Sequence, residues 1–517
     1  MSAIQDSSQL IVTDFGPIQQ ADINLRPLSV FIGPSNTGKS YLAILIYALH
    51  CYFGSYQSRL FFRSDQEFRS LLNFVLPDGI GNLRDSLTAI GKQLTELEAD
   101  DSGAQNEVVI PEPVAAVLRA MFREAAGAGL KDEIARCYGL DTKLLRRRDA
   151  NGSSRVILRI RPVESAEPLE HHLILKSRKV TSRTTIPEGM PLKLRRGSAR
   201  PMPSSLSWLY SPQLEFEDYL ESDGSEVRIG RIQLLQFIAD SLAVSVYGPF
   251  GRSAYYLPAD RTGIMHAHKA VISAVLENAA MPGIRQVLNT PLLSGILADF
   301  LKGLIASDNA SRSFPENMMR PKEILEICEK IEREMLGGSI TIEDSEMLKY
   351  PQFSYQPKGW SDSLPLKNAS SMVSELAPVL LYLRHQVDPG DVLIIEEPES
   401  HLHPSMQVQF TRQLAAIVNA GIRVIVTTHS EWILEELANL VRLSRLKKPD
   451  RVKIDGGNVA LTRDKVGAWL FQQGQNSDGS TVSRIDLDES GLYPSGFDDV
   501  AITLHNTWAR ISNQLEK

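Results

Sequence analysis

Gly33-Pro34-Ser35-Asn36-Thr37-Gly38-Lys39-Ser40 has the spacing G-x-x-x-x-G-K-S, which suits a triphosphate. Glycines let backbone N–H groups approach oxyanions, and the start of a following helix adds its positive field. Lys39 would reach the β- and γ-phosphates, and the Ser40 hydroxyl would take one place on Mg²⁺. Far along the chain, VLIIEEPESHLHP sets two carboxylates at the C-terminal end of an apolar strand, where α/β sheets bind ligands. Glu396 is expected to hold Mg²⁺ through water, and Glu397 to polarise an attacking water as general base. Like charges this close need a cation between them, and a magnesium nucleotide supplies it. A second apolar strand, RVIVTT, ends at Thr428-His429-Ser430. His429 there could hydrogen-bond the γ-phosphate or the attacking water.

These residues need a scaffold, and the surrounding pattern predicts one. LIVTDF, a Gly16-Pro17 turn, IQQADINL and LSVFI read as strands leading into the glycine loop. Leu42, Leu45, Ile46 and Leu49 follow the i, i+3, i+4, i+7 rule of a packed helix. SRVILRIRP and HHLILKS read as a hairpin, RIQLLQFIADSLAVSVYG as a helix and AYYLPADRTG as a strand. LLSGILADFLKGLIAS and PKEILEICEKIEREML are helical and end at Gly337-Gly338, and SITIED and QFSYQP are strands. LKNASS precedes a helix that Pro378 should kink or start. Strand DVLII, helix SMQVQFTRQLAAIVNA and strand RVIVTT then alternate as in a parallel sheet buried on both faces.

Composition narrows the class. The 517 residues carry 55 Lys and Arg against 62 Asp and Glu, a net charge of −7, so the whole molecule is no polycation. Cys51, Cys137 and Cys328 stand far apart, which excludes a disulfide framework or a cysteine zinc site and fits a reducing, cytoplasmic setting. No secretory signal opens the chain, and its most apolar stretch, Tyr41 to Phe53, is too short for a bilayer, so no membrane association is expected. Charge is uneven, however: residues 143–200 hold fifteen Lys and Arg against five Asp and Glu. Arg155, Arg159 and Arg161 alternate with apolar residues and could present a charged sheet face to nucleic-acid phosphates. A solvated face, or a docking surface for an acidic partner, explains the same pattern.

The loop, EEPESHLHP and THS, in this order, resemble an ABC-type ATPase head of the RecF/SMC-like and OLD-like (AAA-type, antiphage defence) group. DFGPI, YLPADR, the NASS turn and the tail from VGAWLF to VSRIDLDESGLYPSGFDD fit the same group. The resemblance implies an α/β, ABC-type P-loop NTPase head with a mixed, mainly parallel sheet plus N-terminal antiparallel strands and inserted α+β and helical segments. Residues 1–60 and 226–517 would form the head, with a helical arm inserted at about 265–338, and 61–225 an insertion with a basic hairpin region. It implies ATP and Mg²⁺ as cofactors and a homodimer or higher oligomer, with ATP sandwiched between heads. Ser370 and Ser371 would then complete the partner's γ-phosphate site, although Met372 stands where relatives usually have glycine; either serine could instead simply cap a helix. Arg261 could be a charge near the nucleotide or the structural partner of a carboxylate. The 88 residues after His429 are too few for a Toprim nuclease domain, and Asp486 and Asp488 read as a solvated strand face. A separate effector, a nuclease or toxin, is therefore expected. The leading expectation is an ATP-hydrolysing subunit of a prokaryotic antiphage complex. A RecF-like DNA-maintenance ATPase comes second, and a transporter ATPase third.

Overall fold

The computed structural model describes residues 8–54, 85–87, 89–90, 93, 107–147, 153–161, 168–176, 180–185, 192–195, 238, 242, 247–266, 293–313, 320–343, 351–474 and 479–486. The chain divides into two compact units. The first takes Met1–Phe15, Leu45–Arg136 and Leu140–Ala254; the second takes Gly16–Ile44, Cys137–Gly139 and Tyr255–Lys517. The N-terminal strands are β1 (Ser8–Phe15), β2 (Ile18–Leu25) and β3 (Leu28–Ile32), followed by helix α1 (Lys39–Gly54). Leu42, Leu45, Ile46 and Leu49 are all buried, as their helical spacing requires.

In the first unit β4 (Ser154–Ile160) pairs antiparallel with both β1 and β5 (Leu169–Leu175), and β5 pairs with β6 (Val180–Thr185). The predicted hairpin is thus β4–β5. Val156, Leu158 and Ile160 are buried while Arg155 and Arg161 are exposed, because successive side chains of a strand point to opposite faces. Arg159, on the polar face, meets Glu170 of β5 at 2.5 Å. The Pro/Ser-rich stretch 201–212 and nearly all of the helix expected at 231–248 lie outside the described residues.

The second unit adds β7 (Ala254–Leu257), α2 (Gly295–Ser313), α3 (Lys322–Ile331), the antiparallel pair β8 (Gly338–Glu343) and β9 (Gln352–Pro357), and α4 (Ser371–His385). It continues with β10 (Val392–Glu396), α5 (Pro404–Asn419), β11 (Arg423–Thr428), α6 (Glu431–Leu443), β12 (Val466–Gln473) and β13 (Ser480–Ile485). Its sheet runs β2-β13-β12-β3-β11-β10-β7. The β12/β3, β3/β11 and β11/β10 pairs are parallel, and only β12/β13 is a tight antiparallel hairpin. Alternate residues of the central strands, Leu28, Val30 and Ile32 with Leu393 and Ile395, share one core with Leu376, Leu380, Phe410, Leu414, Ile433 and Leu437 of α4, α5 and α6. On the other face Phe31 meets Trp469 and Phe471. The expected α/β, P-loop architecture is present, with a mainly parallel sheet in the second unit and antiparallel strands in the first.

Two local expectations are corrected. The strand at AYYLPADRTG stops at Leu257, because Pro258 has no N–H to continue a ladder; Arg261–His266 turn instead as helix, with Ile264 N–H donating to Asp260 O at 3.1 Å. Pro378 does not begin its helix. The Ser370 hydroxyl accepts from Val373 N–H at 3.3 Å, so α4 starts at Ser371 and runs through the proline.

Candidate functional site

Strand register decides whether the separated motifs meet. Glu396 is level with Thr427 in the β10/β11 ladder, and Thr427 is level with Phe31 in the β11/β3 ladder. Parallel strands in register end at one edge. Gly33 and its loop, the acids after Ile395 and His429 therefore leave the sheet side by side. Contacts agree: the Ser40 hydroxyl lies beside the Glu396 carboxylate, and Glu397 and Glu399 both act on the charge of Lys39.

The loop takes a shape that its glycines permit. Gly33 has φ +146°, and a Cβ there would lie 2.2 Å from the Phe471 carbonyl oxygen. Gly38, at φ +95°, would place one 2.7 Å from Ile18. Both positions demand glycine. Asn36 also takes a left-handed φ, of 63°, and the Thr37 hydroxyl donates to Pro34 O at 2.8 Å. Lys39 is only 5% exposed, and its Nζ donates to the carbonyls of Gly33 and Pro34, each at 2.8 Å. Burial lowers its pKa to about 8 against the raising influence of Glu397 and Glu399. The loop thus curls around its own lysine, holding the ammonium where a phosphate would sit among the amides.

Glu396 is 8% exposed. Its Oε2 accepts from Ala259 N–H at 3.2 Å, whereas Oε1 is buried without a well-aligned hydrogen bond. Burial raises its pKa; the Ser40 and Tyr256 hydroxyls and the Ala259 amide oppose that. A buried carboxylate oxygen left over beside a serine hydroxyl, at the mouth of an amide-lined loop, fits a hydrated Mg²⁺. Ser40 and Glu396 are the side chains that would hold it, few enough to suit a metal that keeps waters and substrate phosphates as its other ligands.

Glu397 differs in every respect. Its side chain is 37% exposed, and Oε1 lies 3.4 Å from His429 Nε2. The His429 hydrogen bond holds its carboxyl below the usual range, helped by the His429, Lys39 and Arg261 charges against some burial. Its backbone sits at φ +40°, a left-handed conformation that costs a non-glycine residue about 1–3 kcal/mol. Tertiary contacts impose it: the Glu397 N–H donates to Thr427 O at 2.8 Å. An ionised carboxylate at the sheet edge, beside an imidazole, can orient and polarise a water.

Glu399 was not singled out by the motif reading, yet it belongs here. Its carboxylate accepts from His429 N–H at 2.5 Å, and burial raises its pKa. The spacing of Glu397, Pro398 and Glu399 was the available signal, since a proline turn can return the second acid toward the same neighbours. Tyr256, whose hydroxyl lies beside Glu396, opens the YLPADR segment but had no role assigned from the sequence.

Arg261 is fully buried and forms an ion pair with Glu375. It is the partner of a carboxylate, the second of the two roles left open by the sequence. Ser370 and Ser371 are exposed at the start of α4, and among the described residues neither hydrogen-bonds the phosphate loop. No group of three or more His, Cys, Asp or Glu among the described residues could by itself hold a metal. No described helix is long and apolar enough to cross a membrane.

Residues 290–434 match a family described as an AAA ATPase domain. The chain carries a nucleotide-binding ATPase domain. The matched stretch of that domain contains Glu396, Glu397 and His429, while the glycine loop precedes it. No curated protein is significantly similar to the chain. Solved structures similar to it include an SMC head domain from Thermotoga maritima (12% identity, 93% of this chain and 99% of that chain, TM-score 0.35). An SmcHead bound to the C-winged helix domain of ScpA is 9% identical over 93% of this chain and 98% of that one, with a TM-score of 0.39. An Smc head with an extended coiled coil, bound to the C-terminal domain of ScpA and derived from Pyrococcus furiosus, is 10% identical over 98% and 99%, with a TM-score of 0.37.

Proposed function

We propose that this chain binds and hydrolyses ATP as the ABC-type subunit of a prokaryotic antiphage complex, in a nucleotide-dependent dimer that controls a separate effector. The observation that carries the ATPase half is the shared edge at Phe31, Thr427 and Glu396, which gathers the loop, both acids and His429. The amides of Gly33–Ser40 and Lys39 bind the phosphates, and Ser40 and Glu396 take Mg²⁺. When bound, Mg²⁺ neutralises charge on the β- and γ-phosphates. Glu397 orients the attacking water and His429 holds the Glu397 carboxylate in place. Ser370 and Ser371 meet the γ-phosphate of a second copy, so that ATP favours the closed pair. The defence role is supported by the sequence resemblance of these motifs and by the large segment at 61–225. A RecF-like, DNA-binding role is supported by the arginines on one face of β4, although Arg159 is already matched by Glu170.

The test is magnesium-dependent phosphate release by the purified chain. Lys39→Ala should abolish both binding and turnover; Glu397→Gln should cut turnover by about 100-fold or more while ATP stays bound. Parental turnover in Glu397→Gln would remove the role given to that carboxylate. Duplex DNA that stimulates turnover steeply at low salt, and ceases to when Arg155 and Arg161 are neutralised, would favour the DNA-binding role.

A further inference from the structure

Arg261 has no exposed surface, yet it makes more polar contacts than any motif residue needs for packing. Its NH1 donates to Glu396 O at 2.6 Å and to Pro258 O at 2.9 Å, and its NH2 reaches Glu397 O at 3.5 Å. Nε donates to Glu375 O at 3.3 Å, and the guanidinium is ion-paired with the Glu375 carboxylate. Glu375 also accepts from the Thr262 hydroxyl, and His266 lies 2.9 Å from the Ser374 hydroxyl. Ala259 N–H, in the same short segment, donates to the Glu396 side chain. Residues 258–266 are thereby bonded on one side to α4 and on the other to the backbone and side chain of the two acids.

We propose that Arg261 and Glu375 are a positioning pair that holds the Glu396–Glu397 backbone in its catalytic geometry and makes hydrolysis dependent on the placement of α4. The physical need is visible at Glu397. A left-handed φ in a non-glycine residue persists only where its surroundings over-determine it. Two of the restraints are the Arg261 donors on the Glu396 and Glu397 carbonyls, one on each side of the Glu397 Cα. An arginine suits this task because its planar fork holds several carbonyls in a fixed relative geometry, whereas a lysine offers one point charge whose three donors rotate. Its buried charge requires a counter-ion, and α4 supplies Glu375. A shift of α4 would move Glu375, then Arg261, then the carboxylate that orients water. Phosphate binding is less affected, because no hydrogen bond or ion pair among the described residues joins Lys39, Ser40 or the loop amides to the pair.

The inference rests on the ATPase reading, and its test separates the two. The paired variant R261M/E375L replaces a buried ion pair with apolar side chains, an exchange that tends to preserve folding. ATP affinity, turnover and melting temperature are measured for it, for E375Q and R261K, and for the parent and K39A. Expected is a melting temperature near the parental one and unchanged ATP affinity, with kcat lowered about 10- to 100-fold in R261M/E375L. E375Q, which keeps the shape and acceptor of the side chain, should retain more kcat than R261K, again at parental affinity. A folded R261M/E375L protein with parental kcat overturns the inference, because a purely structural pair would then suffice. If that variant does not fold, E375Q and R261K decide: equal losses in affinity and kcat, or no loss at all, overturn it equally. Failure of the ATPase reading has a different signature, a parent without magnesium-dependent turnover or a K39A variant indistinguishable from it.

Discussion

Lys39 is one residue whose environment makes a quantitative forecast. Burial holds its pKa near 8, so the ammonium is present at neutral pH and is lost above it. A triphosphate among the amides favours the charged form and raises that value. Binding above pH 8 therefore requires proton uptake. Affinity for ATP should be flat below pH 8 and fall by up to about tenfold per unit between pH 8 and the raised pKa of the complex. Titration of a fluorescent nucleotide from pH 7 to 9.5 checks this, with K39R as control because arginine stays charged throughout. An affinity independent of pH up to 9.5 would mean that Lys39 is not the phosphate cation. The type and spacing of this lysine were plain in the sequence, but its burial and its two carbonyl partners follow from the way the loop closes. Glu399 and Tyr256 stand within quoted motifs, but their roles were not readable there because they depend on which strands become neighbours.

At the scale of elements, α4 carries two readings at its first turn. Ser370 caps the helix through Val373, and this alone accounts for a serine there. If Ser370 also meets a second copy's γ-phosphate, aspartate separates the two roles, since it caps as well as serine but repels phosphate. S370D should keep the parental melting temperature and lose ATP turnover by about 100-fold or more, measured as phosphate release. Parental turnover would leave Ser370 as a cap alone. The helix starts where the LKNASS turn ends, and the proline within α4 is not its beginning. Pro378 is the stronger breaker in the sequence, but the Ser370 cap and burial of Leu376, Leu380 and Leu383 outweigh the lost hydrogen bond.

For the whole molecule, the forecast concerns assembly. If a second copy completes the site, the pair stays closed only while nucleotide is intact, so slow hydrolysis should trap it. E397Q with Mg²⁺ and ATP should sediment as a dimer or larger species, the parent should do so transiently, and K39A not at all. Sedimentation of E397Q that is identical with and without ATP would rule out nucleotide-driven closure. The basic stretch at 143–200 is a whole-molecule question as well. Within it, Arg147 meets Asp14 at 3.4 Å and Arg159 meets Glu170, so part of its charge is already neutralised by the fold.

The sequence alone determined the parallel α/β class, the loop, the paired acids and the histidine. Each is a local pattern, short in span and dictated by backbone chemistry: glycines where amides must face a phosphate, an apolar run that must be buried, polar residues where the run stops. The tertiary structure alone decided which of these stand together. That outcome is fixed by the register of β3, β11 and β10, in which β3 pairs with a strand hundreds of residues away. It also decided the place of Arg261. A buried charge takes whatever counter-ion the packed core brings to it, and no spacing along the chain linked this arginine to Glu375.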